Sequence, residues 1–228
     1  DLQLKRELSM AFSLLTIGSL FIMALYHLGL FLYRRNDYPL LFFGLMSLLL
    51  SLSSLFVGEI VFSTLFPGVP WEVMLRSEMI DAYLAVLMSA LFYHSLYQRY
   101  GNRKFLGAMT VFIILFCMVV LLLPTRHFSI TLQVFMIFLL VTIAYTMVIL
   151  VRASIDKNRE ATLFAVGLAA LSAAAVHDVL VHFSLFMSTH IIHYALFFFI
   201  VYQAFVLSRR FSGAMNLVES QKSELYQA

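Results

Sequence analysis

Asp178 and His182 stand four residues apart, and His190 and His193 stand three apart, so each pair falls on one face of a helix. A short connection joins the two pairs. Carboxylate and imidazole groups at such spacing are donors that zinc accepts. The same groups can bind and release protons near neutral pH, since an unperturbed histidine titrates at about 6.5. The alternative is structural, with paired or interfacial side chains that orient neighbouring helices. Asp81 joins this set as a ligand or proton-sensing candidate, or else bonds to an adjacent helix; Glu59 and Glu78 lie at the same depth. A second polar layer holds His27 and His94, with Tyr26, Tyr93 and Tyr97 nearby in sequence. It reads first as internal hydrogen bonding and second as protonation linked to signalling. No residue is marked as catalytic, and no cofactor is expected.

These groups have to be positioned by elements that composition already defines. Of the 228 residues, 62% are hydrophobic and only 12% charged. A soluble domain is roughly half apolar and about a quarter charged, so this chain is not a soluble enzyme, a disordered tail or a disulfide scaffold, and no nucleic-acid partner is expected. One cysteine, Cys117, excludes an internal disulfide. Seven apolar runs are long enough to cross a bilayer, at 8–33, 39–57, 79–96, 105–123, 128–151, 161–183 and 191–208. None alternates as a membrane β-strand does. Helices satisfy their own backbone in lipid, and the predicted fold is therefore all-α, a seven-transmembrane helical bundle. The predicted divisions are an external juxtamembrane stub at 1–7, the transmembrane domain at 8–208 and a cytoplasmic signalling helix at 209–228.

Charge placement orients the bundle. Eleven of the fifteen Lys and Arg residues fall in the first, third and fifth loops and the C-terminal segment, and four on the other side. The positive-inside rule then puts the N-terminus outside and the C-terminus in the cytoplasm. Ala161, Ala165, Ala169 and Ala173 recur every four residues on the sixth run, a spacing that favours close helix packing. In the tail, Phe211, Val218 and Leu225 recur every seven residues. This pattern predicts that the seventh helix runs on into a parallel coiled coil, with an exposed juxtamembrane helix as the alternative. Without an initiator Met or a signal peptide, the chain is expected to be part of a longer protein.

Several seven-helix classes fail on chemistry. A retinal protein needs a mid-membrane lysine in the last helix, and Lys5, Lys104, Lys157 and Lys222 all lie elsewhere. The third run ends Tyr97-Gln98-Arg99-Tyr100 and the seventh has no proline, unlike the commonest eukaryotic receptors. The broken helices of transporters and the charge rings of pores are not evident.

One resemblance is closer. Tyr26-His27-Leu28-Gly29-Leu30-Phe31-Leu32-Tyr33-Arg34-Arg35-Asn36-Asp37, running into Leu40-Leu41-Phe42-Phe43, resembles the start of bacterial seven-transmembrane receptors with diverse intracellular signalling modules. His177-Asp178, Tyr202-Gln203-Ala204-Phe205-Val206-Leu207 and Ser208-Arg209-Arg210-Phe211 resemble their end. The resemblance implies a sensor of the bacterial inner membrane, with an extracellular sensing domain before the first helix and a kinase, cyclic-dinucleotide enzyme or phosphatase after the seventh. It implies signal transduction, as in two-component systems, by a homodimer in the lipid bilayer. The chain itself would not be an enzyme. A different reading is a heptahelical metal-dependent hydrolase, for which Asp178, His182, His190 and His193 would hold the metal.

Overall fold

The structure is a computed structural model and describes residues 2–56, 62, 66–182, 184–185, 191–192 and 194–209. Within them the chain is all-helical: α1 (Leu2–Tyr33), α2 (Tyr38–Phe56), α3 (Trp71–Leu96), α4 (Arg103–Leu122), α5 (Thr125–Ile155), α6 (Arg159–His182) and α7 (Tyr194–Arg209). Each of the seven apolar runs has its helix. Six are long and apolar enough to cross a membrane, and α7 is a shorter apolar helix.

Three ends differ from the hydropathy boundaries. The helix α1 begins at Leu2, so the stub expected at 1–7 continues the same helix into the span that opens at Ser13. The helix α3 begins at Trp71 rather than at 79, because Glu72, Arg76 and Glu78 interrupt the apolar run without interrupting the helix. Pro70 precedes it in extended conformation, at φ −60° and ψ 140°, where a missing N–H costs nothing. Glu72 in the first turn faces the positive end of the helix dipole and pairs with Arg76 at 2.6 Å, one turn on. The helix α5 reaches Ile155, which shortens the expected fifth loop to three residues, 156–158.

Those three residues form a compact reversal. Lys157 takes a positive φ of 61°, the Asn158 N–H donates back to the Ala153 carbonyl at 3.3 Å, and the Asn158 side chain then accepts from the amides of Glu160 and Ala161, each at 3.1 Å. One residue thus closes α5 and caps α6. The α4 start is built likewise, with Asn102 Oδ1 accepting from Lys104 N at 2.9 Å and Phe105 N at 3.4 Å.

The chain divides into two compact units, Asp1–Ile149 and Leu150–Ala228. In the first, α2 packs against both α1 and α3, and α3 against α4. The helix α3 is the central one: 56% of its span is buried, against 22% for α4. Its Met79, Tyr83 and Leu87 interlock with Ile113, Phe116 and Val120 of α4 and Phe135 of α5. The Tyr83 hydroxyl meets the Thr131 hydroxyl of α5 at 2.8 Å, so the ring is buried without orphaning its oxygen. The opposite face of α4, with Val111, Ile114, Leu115, Met118 and Leu122, is exposed and apolar, which suits contact with lipid tails. The second unit holds α6 and α7.

Candidate functional site

Three polar features lie within the apolar helices of the first unit. The first is Asp81 on α3, only 5% exposed. Ser53 Oγ of α2 donates to its Oδ2, while Oδ1 is buried and has no hydrogen-bond partner among the described residues. A buried carboxylate is tolerated in a membrane helix only if something compensates its charge, which makes Asp81 a functional position by default. Two residues earlier, on the other face of α2, Ser51 donates to the Ile17 carbonyl of α1 at 2.9 Å, so the α2 hydroxyls tie this helix to both neighbours.

The second feature is an aromatic path through three helices. His27 of α1, 3% exposed, donates from Nδ1 to the Met23 carbonyl at 2.9 Å. Its ring stands edge-on to Phe43 of α2 at 4.6 Å, and Phe43 meets Phe92 of α3 at 5.3 Å. Tyr26 next to it is exposed, so adjacent residues serve opposite faces of α1. The third feature is the α3–α4 turn. A Cβ on Gly101 would come within 2.2 Å of His94 Nδ1, so the turn closes over the buried imidazole only with glycine there. Tyr145 of α5 holds this turn from outside: its hydroxyl accepts from Asn102 N at 2.9 Å, and its ring lies 4.4 Å from Phe105. His27 and His94, expected as one inner layer, are thus held separately, one by α1 and α2 and the other by the α3–α4 turn.

The second unit is tied at two levels. Near the end of α6, Asp178 Oδ1 accepts from His177 Nδ1 at 2.8 Å and from Ile191 N at 2.9 Å, and its Oδ2 accepts from Ile192 N at 3.0 Å. A carboxylate from one helix thereby caps the start of the next, satisfying amides that have no intrahelical partner and facing the positive end of the α7 dipole. Further along, the Tyr202 hydroxyl of α7 donates to the Leu163 carbonyl at 3.0 Å. A Cβ on Gly167 would meet Gln203 Nε2 at 2.5 Å and Tyr202 Cδ1 at 2.7 Å, so glycine is what lets α7 approach α6 this closely. Gln203 is fully buried.

Of the expected outer cluster, Asp178 is therefore engaged with the chain that begins α7. His190 and His193 lie outside the described residues, as does the His182 side chain, and so do Phe211, Val218 and Leu225. Among the described residues no three His, Cys, Asp or Glu side chains are grouped to hold a metal ion. The alanine row on α6 splits: Ala161 is buried, whereas Ala169 and Ala173 are exposed, and the closest approach to α7 uses Gly167 instead.

The family model of 7TM diverse intracellular signalling domains matches residues 9–210, which takes in all seven helices. The chain belongs to the 7TM diverse intracellular signalling family. No curated protein matches the chain, and no solved structure does. Membership makes this a multi-pass membrane domain of the signalling type, built as a seven-transmembrane helical bundle. The short motifs behind the sequence resemblance now have physical roles in this signalling domain. His177-Asp178 forms the cap on α7, and Tyr202-Gln203 forms the contact with α6. Ser53, Gly101, Tyr145 and Gly167 were not singled out by the sequence. A serine, a tyrosine or a glycine in an apolar run carries no spacing signal until the helix opposite is known.

Proposed function

We propose that this chain is the transmembrane relay of a bacterial receptor, carrying an external or intramembrane signal to a cytoplasmic output module of the kinase or cyclic-dinucleotide-enzyme type. The observation that carries the reading is the family match across residues 9–210. In this reading the N-terminus is external, the C-terminus is cytoplasmic, the membrane is the bacterial inner membrane, and two copies work as a homodimer. The domain itself performs no catalysis; the output module does. The physical requirement is a bundle with two arrangements whose balance a signal can bias.

The ties between α6 and α7 support such a relay. Helices joined at both levels transmit a displacement of one to the other, and α7 leads into the 209–228 segment. Rotation or sliding of that segment would reposition Phe211, Val218 and Leu225 against the partner copy. The test is an insertion series of one to seven residues after Gly213 in the full-length protein, with output activity as the readout. Two residues turn the downstream face by about 200°, and seven nearly restore it. A coupled helix gives a periodic response, whereas a monotonic decline with insert length would overturn the proposal.

A further inference from the structure

Among the described residues, no Lys or Arg side chain pairs with the buried Asp81. The helix α2, which supplies Ser53, contains no charged residue, and the apolar span of α1 contains no Lys, Arg, Asp or Glu. The nearest cation along α3 is Arg76, and its guanidinium is committed elsewhere: it donates to the Val120 carbonyl, to the Leu121 carbonyl at 3.2 Å and to Glu72 at 2.6 Å. Glu78, one turn before Asp81, adds negative charge on the same helix. Glu59, in the segment between α2 and α3, lies outside the described residues. Asp81 sits ten residues into α3, or about 15 Å along the helix from Trp71 at ~1.5 Å per residue, and is only 5% exposed. An ionised carboxylate so buried, with one oxygen unbonded among the described residues, lacks both the water and the partner that would stabilise it.

We propose that Asp81 and Ser53 form a proton-binding site at the α2–α3 contact, and that occupancy of this site by a proton selects between the two arrangements of the relay. The proposal rests on the relay reading above and names its ligand. With the proton bound, the carboxylic acid is neutral, Ser53 bonds to it, and α2 and α3 pack without water. When the proton leaves, the uncompensated charge favours an arrangement in which water reaches Asp81 and the helices part near the Trp71 end. The proton is transferred between the Asp81 carboxyl oxygen and water, with no other bond made or broken.

The experiment is infrared difference spectroscopy of the chain in lipid bilayers at neutral pH, paired with output measurements on the full-length protein. The C=O stretch of a protonated carboxylic acid should be present, disappear in Asp81→Asn and shift in Ser53→Ala, yet survive in Glu78→Gln. Asn keeps the volume and a hydrogen-bonding oxygen, so Asp81→Asn should fold and leave the output held at one level across pH. An absent acid band would overturn the site, as would an output in Asp81→Asn that still follows pH. Sodium-dependent thermal stabilisation of the wild type that is lost in Asp81→Asn, with no acid band, would assign the position to a metal cation and equally overturn it. Periodicity in the insertion series with no acid band would remove the proton and leave the relay standing.

Discussion

Asp178 shows how one side chain can have a chemical reading and a mechanical one. By spacing alone it belongs with His182, His190 and His193; in the structure its two oxygens receive three donors, two of them peptide N–H groups at the start of α7. Replacement by Ala should cost about 1–2 kcal/mol, the range of a lost helix cap, and Asn, which keeps one acceptor oxygen, should cost less. Thermal unfolding of the purified domain in detergent measures both, and an Ala variant as stable as the wild type would contradict the capping role. Gly167 is a second residue whose role only its neighbours reveal. A leucine there must displace Tyr202 and Gln203, and the expected destabilisation is about 1–3 kcal/mol, typical of overpacking. Tyr202→Phe removes only the bond to Leu163 and should cost about 0.6 kcal/mol, the mean for such bonds within membranes. Gly167 does not stand out in the sequence, because a glycine in an apolar run looks the same whether it faces lipid or a helix.

At the scale of elements, the turns carry as much information as the helices. The α3–α4 turn is fixed by the Asn102 cap, the Gly101 contact with His94 and the Tyr145 hydroxyl on the Asn102 backbone. Tyr145→Phe retains the ring against Phe105 and removes the acceptor for Asn102 N. Amide exchange at Asn102 should accelerate by roughly fivefold, as for loss of about 1 kcal/mol of hydrogen bonding, while exchange in the middle of α4 stays unchanged. A uniform change along α4 would mean that Tyr145 supports the whole helix and not its first turn. The other end of α4 is closed by Arg76, which reaches from α3 to the carbonyls of Val120 and Leu121. Hydropathy placed Arg76 in a loop before the third span, since it reads charge as solvent exposure; a cation at a helix C-terminus is instead a favourable interaction between helices.

At the scale of the whole molecule, the asymmetry of basic residues orients the proposed relay and can be tested directly. Gly68 sits in the segment before α3 with open space around its Cα, so Gly68→Cys should be tolerated. Gly101 is unsuitable for the opposite side, since any side chain there strikes His94. Asn36, exposed between α1 and α2, is the better probe. In a background with Cys117 replaced by Ala, an impermeant thiol reagent applied from outside should label Gly68→Cys and spare Asn36→Cys until the membrane is opened. The reverse pattern would invert the bundle and place the α7 end outside.

The sequence by itself determined the number of helices, their place in the chain and the membrane as their solvent, because a backbone in hydrocarbon must bond internally and each span therefore needs its own apolar run. Its short motifs near Tyr26 and Tyr202 also pointed to the family that the match over residues 9–210 shows. Tertiary structure decided which polar atom meets which: Asp81 with Ser53, Asp178 with the amides that begin α7, Tyr145 with Asn102, and Gly167 with Tyr202 and Gln203. Helical periodicity locates a side chain on the face of its own helix and says nothing of the rotation or neighbour of the helix opposite. In a chain that is apolar on nearly every face, hydrophobicity cannot settle that rotation either. The few hydrogen bonds and the close approaches at glycine do.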